Sequence, residues 1–306
     1  MTERTGYLSG AALIVAGAAC LVVARGAAPL PLVAYLVVQA VVLRWGMLVY
    51  GAPGAVGAVA LSAFAPPLIA GDGGIGAAAG WTLAAFTLSR CLLDPTVQWA
   101  LAIAAAGLLA LVLGGSHSLV VPLLSYSAVL ALWRAATAER WERRGRVLQA
   151  GLVAAAAGWG TLALLLGVFG HCSHLPEVDD ISRRPASVQL AAAPPADAAP
   201  RGGAAPVALV PLLLAALRPW RPQRRYSDGA WIAAVVTLLL APPPGGWAMA
   251  VTPFFALLAG ASWDAARPLW ARRAAGALVA AQALVGLAGL LAGRAVPPAD
   301  GQGRAA

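Results

Sequence analysis

The chain has 306 residues, is 60% hydrophobic and only 11% charged, and has a mean hydropathy of +0.78. Soluble domains carry about a quarter charged residues, so a water-soluble fold is excluded. The net charge of +9 would suit nucleic acid, but the arginines stand in short segments beside tryptophans such as Trp45, Trp133 and Trp220. Anchoring to anionic headgroups accounts for them more simply, so the expected partner is the lipid bilayer and not a nucleic acid.

Apolar runs of roughly 17 to 25 residues recur along the chain, the length that about 30 Å of hydrocarbon demands of an α-helix. Period-2 alternation, the mark of a β-barrel, is absent. The runs predict helices over 7–24, 28–43, 46–70, 74–93, 97–113, 118–133, 149–170, 206–217, 230–241, 247–263 and 274–293. The fold class is therefore all-α, a polytopic transmembrane bundle of about 11 helices. The eighth and ninth are short, and if they form one re-entrant unit the count is nine with the same parity.

All 21 basic residues are arginine. Cytoplasmic loops collect basic residues, and a cytoplasmic N-terminus puts fifteen of them inside: Arg4, Arg44, Arg90, Arg134, Arg140, Arg143, Arg144, Arg146, Arg218, Arg221, Arg224, Arg225, Arg267, Arg272 and Arg273. Six fall outside: Arg25, Arg183, Arg184, Arg201, Arg294 and Arg304. The expected orientation is N-terminus in and C-terminus out. The lack of lysine beside abundant Ala, Gly, Pro and Arg points to a GC-rich bacterial genome and so to the bacterial inner (plasma) membrane. Lipoprotein cleavage before Cys20 is disfavoured, because the apolar run continues to Val23 and Gly17 stands where a large aliphatic residue is needed.

Four regions follow: a first bundle over 1–170, an external flexible loop over 171–205, a second bundle over 206–294 and a tail over 295–306. The loop contains the Ala-, Pro- and Gly-rich run from Ala191 to Pro206, a linker composition. A charged, helical surface segment is expected from Arg134 to Gln149.

Ionisable side chains within a bilayer mark transport pathways, yet every Asp, Glu and Arg falls at a predicted helix end or loop. The interior polar residues are mild: Gln39, Ser62, Thr82, Thr87, Thr161, Thr237 and Gln282. Gln39 and Gln282 are read as hydrogen-bonding between helices. Arg90 and Asp94 have i, i+4 spacing and Asp264 and Arg267 i, i+3 spacing, which suits local pairing. Glycine- and alanine-rich runs such as Gly276 to Gly293 permit close helix approach and suggest a tightly packed bundle or subunit contacts. No catalytic or cofactor-binding motif is present. His171 and His174, near Cys172, Glu177, Asp179 and Asp180, are the candidate metal ligands. Their spacing matches no zinc or copper motif, and a solvated loop is the simpler account.

From about Trp99 to Gly170 the chain resembles the antiporter-like membrane subunits of proton-translocating NADH-quinone oxidoreductase and related membrane-bound hydrogenases. The marks are Leu124-Ser125-Tyr126 followed by Ala131-Leu132-Trp133, then Arg146 to Gly151, Gly158-Trp159-Gly160 and Leu164 to Phe169. It departs from that family where the family carries a membrane glutamate: Leu119, Val120, Val121 and Pro122 stand there instead, and the family's buried lysines are missing. The resemblance implies a degenerate member that fills a membrane arm without conducting protons. The function expected is a non-catalytic membrane-arm or scaffold subunit, with other membrane subunits as partners. The alternative is a permease for a weakly polar or lipid-like solute, using Pro66-Pro67 or Pro242 to Gly246 as irregular backbone. A membrane enzyme using Glu177, Asp179 and Asp180 ranks last.

Overall fold

The computed structural model describes residues 2–25, 29–70, 75–93, 120–137, 225–240, 246–263 and 268–295, with positions 98, 102, 105, 106, 145 and 149. Among the described residues all regular structure is helical: α1 (Glu3–Arg25), α2 (Pro29–Ala63), α3 (Pro66–Ala70), α4 (Ile75–Leu93), α5 (Val120–Ala136), α6 (Arg225–Leu240), α7 (Gly246–Ala259) and α8 (Leu269–Ala295). A 3₁₀ turn, Gly260–Trp263, extends α7. Three segments are long and apolar enough to cross a membrane: Glu3–Val23, Pro29–Ala63 and Ile75–Leu93. The predicted helices over 149–170 and 206–217, most of 97–113 and the loop over 171–205 lie outside the described residues.

The run α2 is a helical hairpin. At Gly51 the backbone takes φ 71° and ψ −171°, a conformation that glycine enters without a Cβ clash. Pro53 follows in the first turn of the returning limb, where its missing N–H has no intrahelical partner to lose. The limbs run antiparallel: Gly46 lies against Ala55, Gln39 against Ser62 and Tyr35 against Ala63. The boundary expected near Arg44 and Trp45 is thus displaced to Gly51. Arg44 stays helical with its guanidinium at the bundle's end, where it donates 2.6 Å to the Tyr7 hydroxyl. Trp45 is buried against Phe86 and Phe254.

Helix α1 packs on both limbs, antiparallel to the first through Gly10 and Leu43 and parallel to the second through Gly6 and Ala52. Helix α4 lies against α2, and α6 runs antiparallel to α4, since Trp81 meets Thr237 and Gly229 meets Ser89. Helix α7 closes on the returning limb where Gly54 meets Gly260, and a methyl group at Gly54 would sit 2.8 Å from the Gly260 carbonyl oxygen. Helix α8 covers that limb's outer side through a cluster of Leu61, Ala256, Ala259, Ala275 and Val279. Such small residues let helix backbones approach closely where lipid supplies no hydrophobic force between them. Gly276 on α8 makes no such contact with the described residues, with nothing within 4 Å of an added methyl.

Candidate functional site

The proline pair at 66 and 67 breaks the returning limb of α2. Neither proline has an N–H, so neither can reach back to Ser62 O or Ala63 O. The chain resolves this carbonyl by carbonyl. Ala65 N donates 3.2 Å to Ser62 O in a tighter turn. Ala63 O instead receives the Tyr35 hydroxyl of the first limb at 3.0 Å. With the Ala65 amide turned to Ser62, Leu61 O is met by Gln282 Nε2 of α8 at 3.1 Å. The helix restarts as α3 with Pro66 at its first position, and Leu68 N and Ile69 N both donate to Ala65 O. Freed backbone groups are tolerated at membrane depth when neighbouring helices satisfy them in this way.

The two interior glutamines converge on this turn. Gln39 Oε1 accepts from Ser62 Oγ at 2.6 Å, one residue from the carbonyl that Gln282 engages. Both bonds pass between helices, as expected of these residues. Gln39 is 0% exposed and Gln282 4%. Each amide keeps one buried atom without a hydrogen-bond partner, Nε2 on Gln39 and Oε1 on Gln282. Gln282 has no choice of orientation, because a carbonyl only accepts and its NH₂ must face Leu61. Gln39 lies midway along the first limb and Gln282 midway along α8. The break is therefore a mid-depth feature of the bundle.

On the other flank the polar groups close on themselves. Thr82 and Thr87 donate to carbonyls of their own helix. Trp81 Nε1 donates 2.7 Å to Thr237 Oγ1, which donates 2.6 Å to Ala233 O. Tyr126, fully buried, shares its hydroxyl between Ala85 O at 3.1 Å and Gly229 O at 3.2 Å, joining α5 to α4 and α6. Rings link this flank to the hairpin, with centroids 5.5 Å apart for Trp81 and Tyr126, 6.0 Å for Trp81 and Phe254, and 6.3 Å for Phe254 and Trp45.

Arginines gather at one end. The bond between Tyr7 and Arg44, the packing of Ser89 on Gly229 and the bond from Trp133 Nε1 to Asp228 Oδ2 at 3.3 Å put Arg4, Arg44, Arg90 and Arg134 at the same end of the bundle. Arg134 corrects one expectation. It belongs to α5 and is only 6% exposed, so the charged surface segment does not begin there.

His171 and His174, the candidate metal ligands, lie outside the described residues, as do Cys172, Glu177, Asp179, Asp180, Thr161, Asp94, Asp264, Arg267 and the Pro242–Gly245 stretch. Among the described residues no three His, Cys, Asp or Glu side chains come together as a metal site. The site residue that sequence reasoning missed is Tyr35, and the signal for it was indirect: a proline pair in an apolar run demands outside donors. The break offers a donor and an acceptor of a neutral hydrogen bond and no fixed charge, so it suits an uncharged polar group. No protein-family model, curated protein or solved structure matches the chain.

Proposed function

We propose that the chain is a multi-pass protein of the bacterial inner membrane, crossing it about eleven times with its N-terminus in the cytoplasm and its C-terminus outside. In this reading it is a non-catalytic scaffold subunit of a larger membrane complex. The observation that carries it is the chemistry of the interior: polar side chains at mid-depth among the described residues are uncharged and bond helix to helix or back to their own helix. Proton relays and ion pathways need ionisable groups at that depth. Large apolar side chains on the bundle's outside, among them Val15, Leu132, Leu239 and Leu284, give lipid or a neighbouring subunit a surface to cover. The grouping of arginines at one end supports the orientation. The resemblance to antiporter-like subunits fits a chain in which Tyr126 and Trp133 act as structural bridges.

Extraction in a mild detergent, followed by a native gel and mass spectrometry, tests the role. Stoichiometric membrane subunits are expected, and a lone monomer or homodimer would contradict it. Orientation has a separate check: a reporter after Ala306 is expected to be active only outside the cytoplasm, and one between Ala138 and Glu139 only inside.

A second reading, a permease for a weakly polar solute, is favoured by one feature, the free amide atoms beside the Pro66-Pro67 break. The capped carbonyls of that break offer nothing to a cation.

A further inference from the structure

The exposed stripe of the first limb of α2 is apolar until its last turns. Val33, Leu36 and Ala40 are exposed at helical spacing, and the next position of that stripe is Arg44, also exposed. Arg44 precedes the Gly51 turn by about two helical turns, or about 10 Å of rise, so its side chain leaves the helix short of the hairpin's tip. A long aliphatic stem at that depth lies along apolar surface and carries its charge to the headgroups. The guanidinium is held there, because its Nη1 donates 2.6 Å to the hydroxyl of Tyr7, whose ring packs against the core. Arg4, Leu8 and Val15 share the Tyr7 side of α1 by the same spacing and are exposed. On both helices an apolar stripe therefore ends in an arginine beside one tyrosine.

Among the described residues the partner of Arg44 is this tyrosine and not a carboxylate. A phenol is neutral, so the bond positions the guanidinium without cancelling its charge. The side chains of Glu3, Arg4 and Arg44 together leave one positive charge at the seam. We propose that the seam between α1 and the first limb of α2 binds an anionic phospholipid, with its phosphodiester at Arg44 and Arg4 and its acyl chains along the two apolar stripes. The planar fork of a guanidinium suits two phosphate oxygens. A zwitterionic headgroup would bring a second cation beside both arginines, which selects against it. The apolar stripes select a lipid over a free phosphate. The site rests on the membrane reading of the chain and stands whether or not partner subunits co-purify.

The test uses the full-length protein, purified in a mild detergent and stripped of lipid. Native mass spectrometry then follows its retention of phosphatidylglycerol or of phosphatidylcholine with identical acyl chains. Retention of phosphatidylglycerol should be favoured about fivefold, and equal retention of the two lipids would overturn the proposal. Arg44→Gln should remove the preference, and an unchanged ratio would overturn the site. Tyr7→Phe keeps the ring but frees the guanidinium, so it should lower the ratio about twofold. Arg273→Gln, at an exposed arginine of α8, should leave it unchanged; a loss equal to that of Arg44→Gln would mean general charge attraction and contradict a site at the seam. Excess inorganic phosphate should leave the lipid bound, and full displacement would contradict a lipid occupant. If Arg44→Gln fails to fold, the comparison of lipids and the phosphate competition on the unsubstituted protein still decide. A chain that stays dispersed after detergent removal would refute the membrane reading itself, a result distinct from loss of headgroup preference.

Discussion

The two flanks of the bundle solve the same problem differently. Where α4, α5 and α6 meet, the helices are unbroken and their carbonyls are engaged along their own axes; Tyr126 adds bonds to a backbone already satisfied, and Trp81 bonds to the Thr237 hydroxyl. Where the returning limb of α2 meets the proline pair, the backbone is short of donors, and Tyr35 and Gln282 supply what the helix cannot. A tyrosine hydroxyl on a carbonyl is an extra tie on one flank and a required partner on the other. The cost of removing it depends on what the carbonyl has left, not on the distance, which is 3.0 Å for Tyr35 and 3.1 Å for Tyr126.

Substitutions can break or sharpen this contrast. The largest effect is expected from Gly54→Val, which drives a branched side chain into the Gly260 backbone and should cost about 3 kcal/mol by overpacking. Little folded protein should survive size-exclusion chromatography after mild heating. Next come Tyr35→Phe and Gln282→Leu, each leaving a buried carbonyl without a donor at about 2 kcal/mol. Thermal unfolding in detergent should show each as a lowered midpoint. Tyr126→Phe removes an equally buried hydroxyl but strands no carbonyl, so its cost should be near the roughly 0.6 kcal/mol average for hydrogen bonds between membrane helices. Smallest and opposite in sign is Gly276→Ala. Its methyl enters open space, and the gain in helix preference should stabilise the protein by about 0.5–1 kcal/mol. An unchanged or lowered midpoint for Gly276→Ala would mean that this face is covered.

Much of the helix layout was legible because hydrocarbon thickness and apolar run length are tightly linked. The runs over 7–24, 74–93 and 247–263 correspond to α1, α4 and α7 with its 3₁₀ turn, with ends displaced by a few residues. The reversal at Gly51 was harder to place. Arg44 looks like a loop residue by charge, yet its head reaches Tyr7 at the bundle's end while its helix continues past it. The glutamines at 39 and 282 stood out as the strongest polar groups in apolar runs, and their bonding between helices followed. Their shared target did not, because the bond from Gln282 to Leu61 spans 221 positions of sequence. Tyr35 was invisible for the same reason: its partner is defined by the hairpin fold, and the local run around it reads simply as apolar helix. Arg134 was misplaced because its burial depends on how α5 packs, which periodicity does not report.

The most direct test of the two-flank account is a paired measurement of thermal unfolding for Tyr35→Phe and Tyr126→Phe, full length and in the same detergent. The account predicts that Tyr35→Phe lowers the midpoint at least twice as far as Tyr126→Phe. Equal shifts, or a larger one for Tyr126→Phe, would contradict the claim that the proline break depends on donors from neighbouring helices.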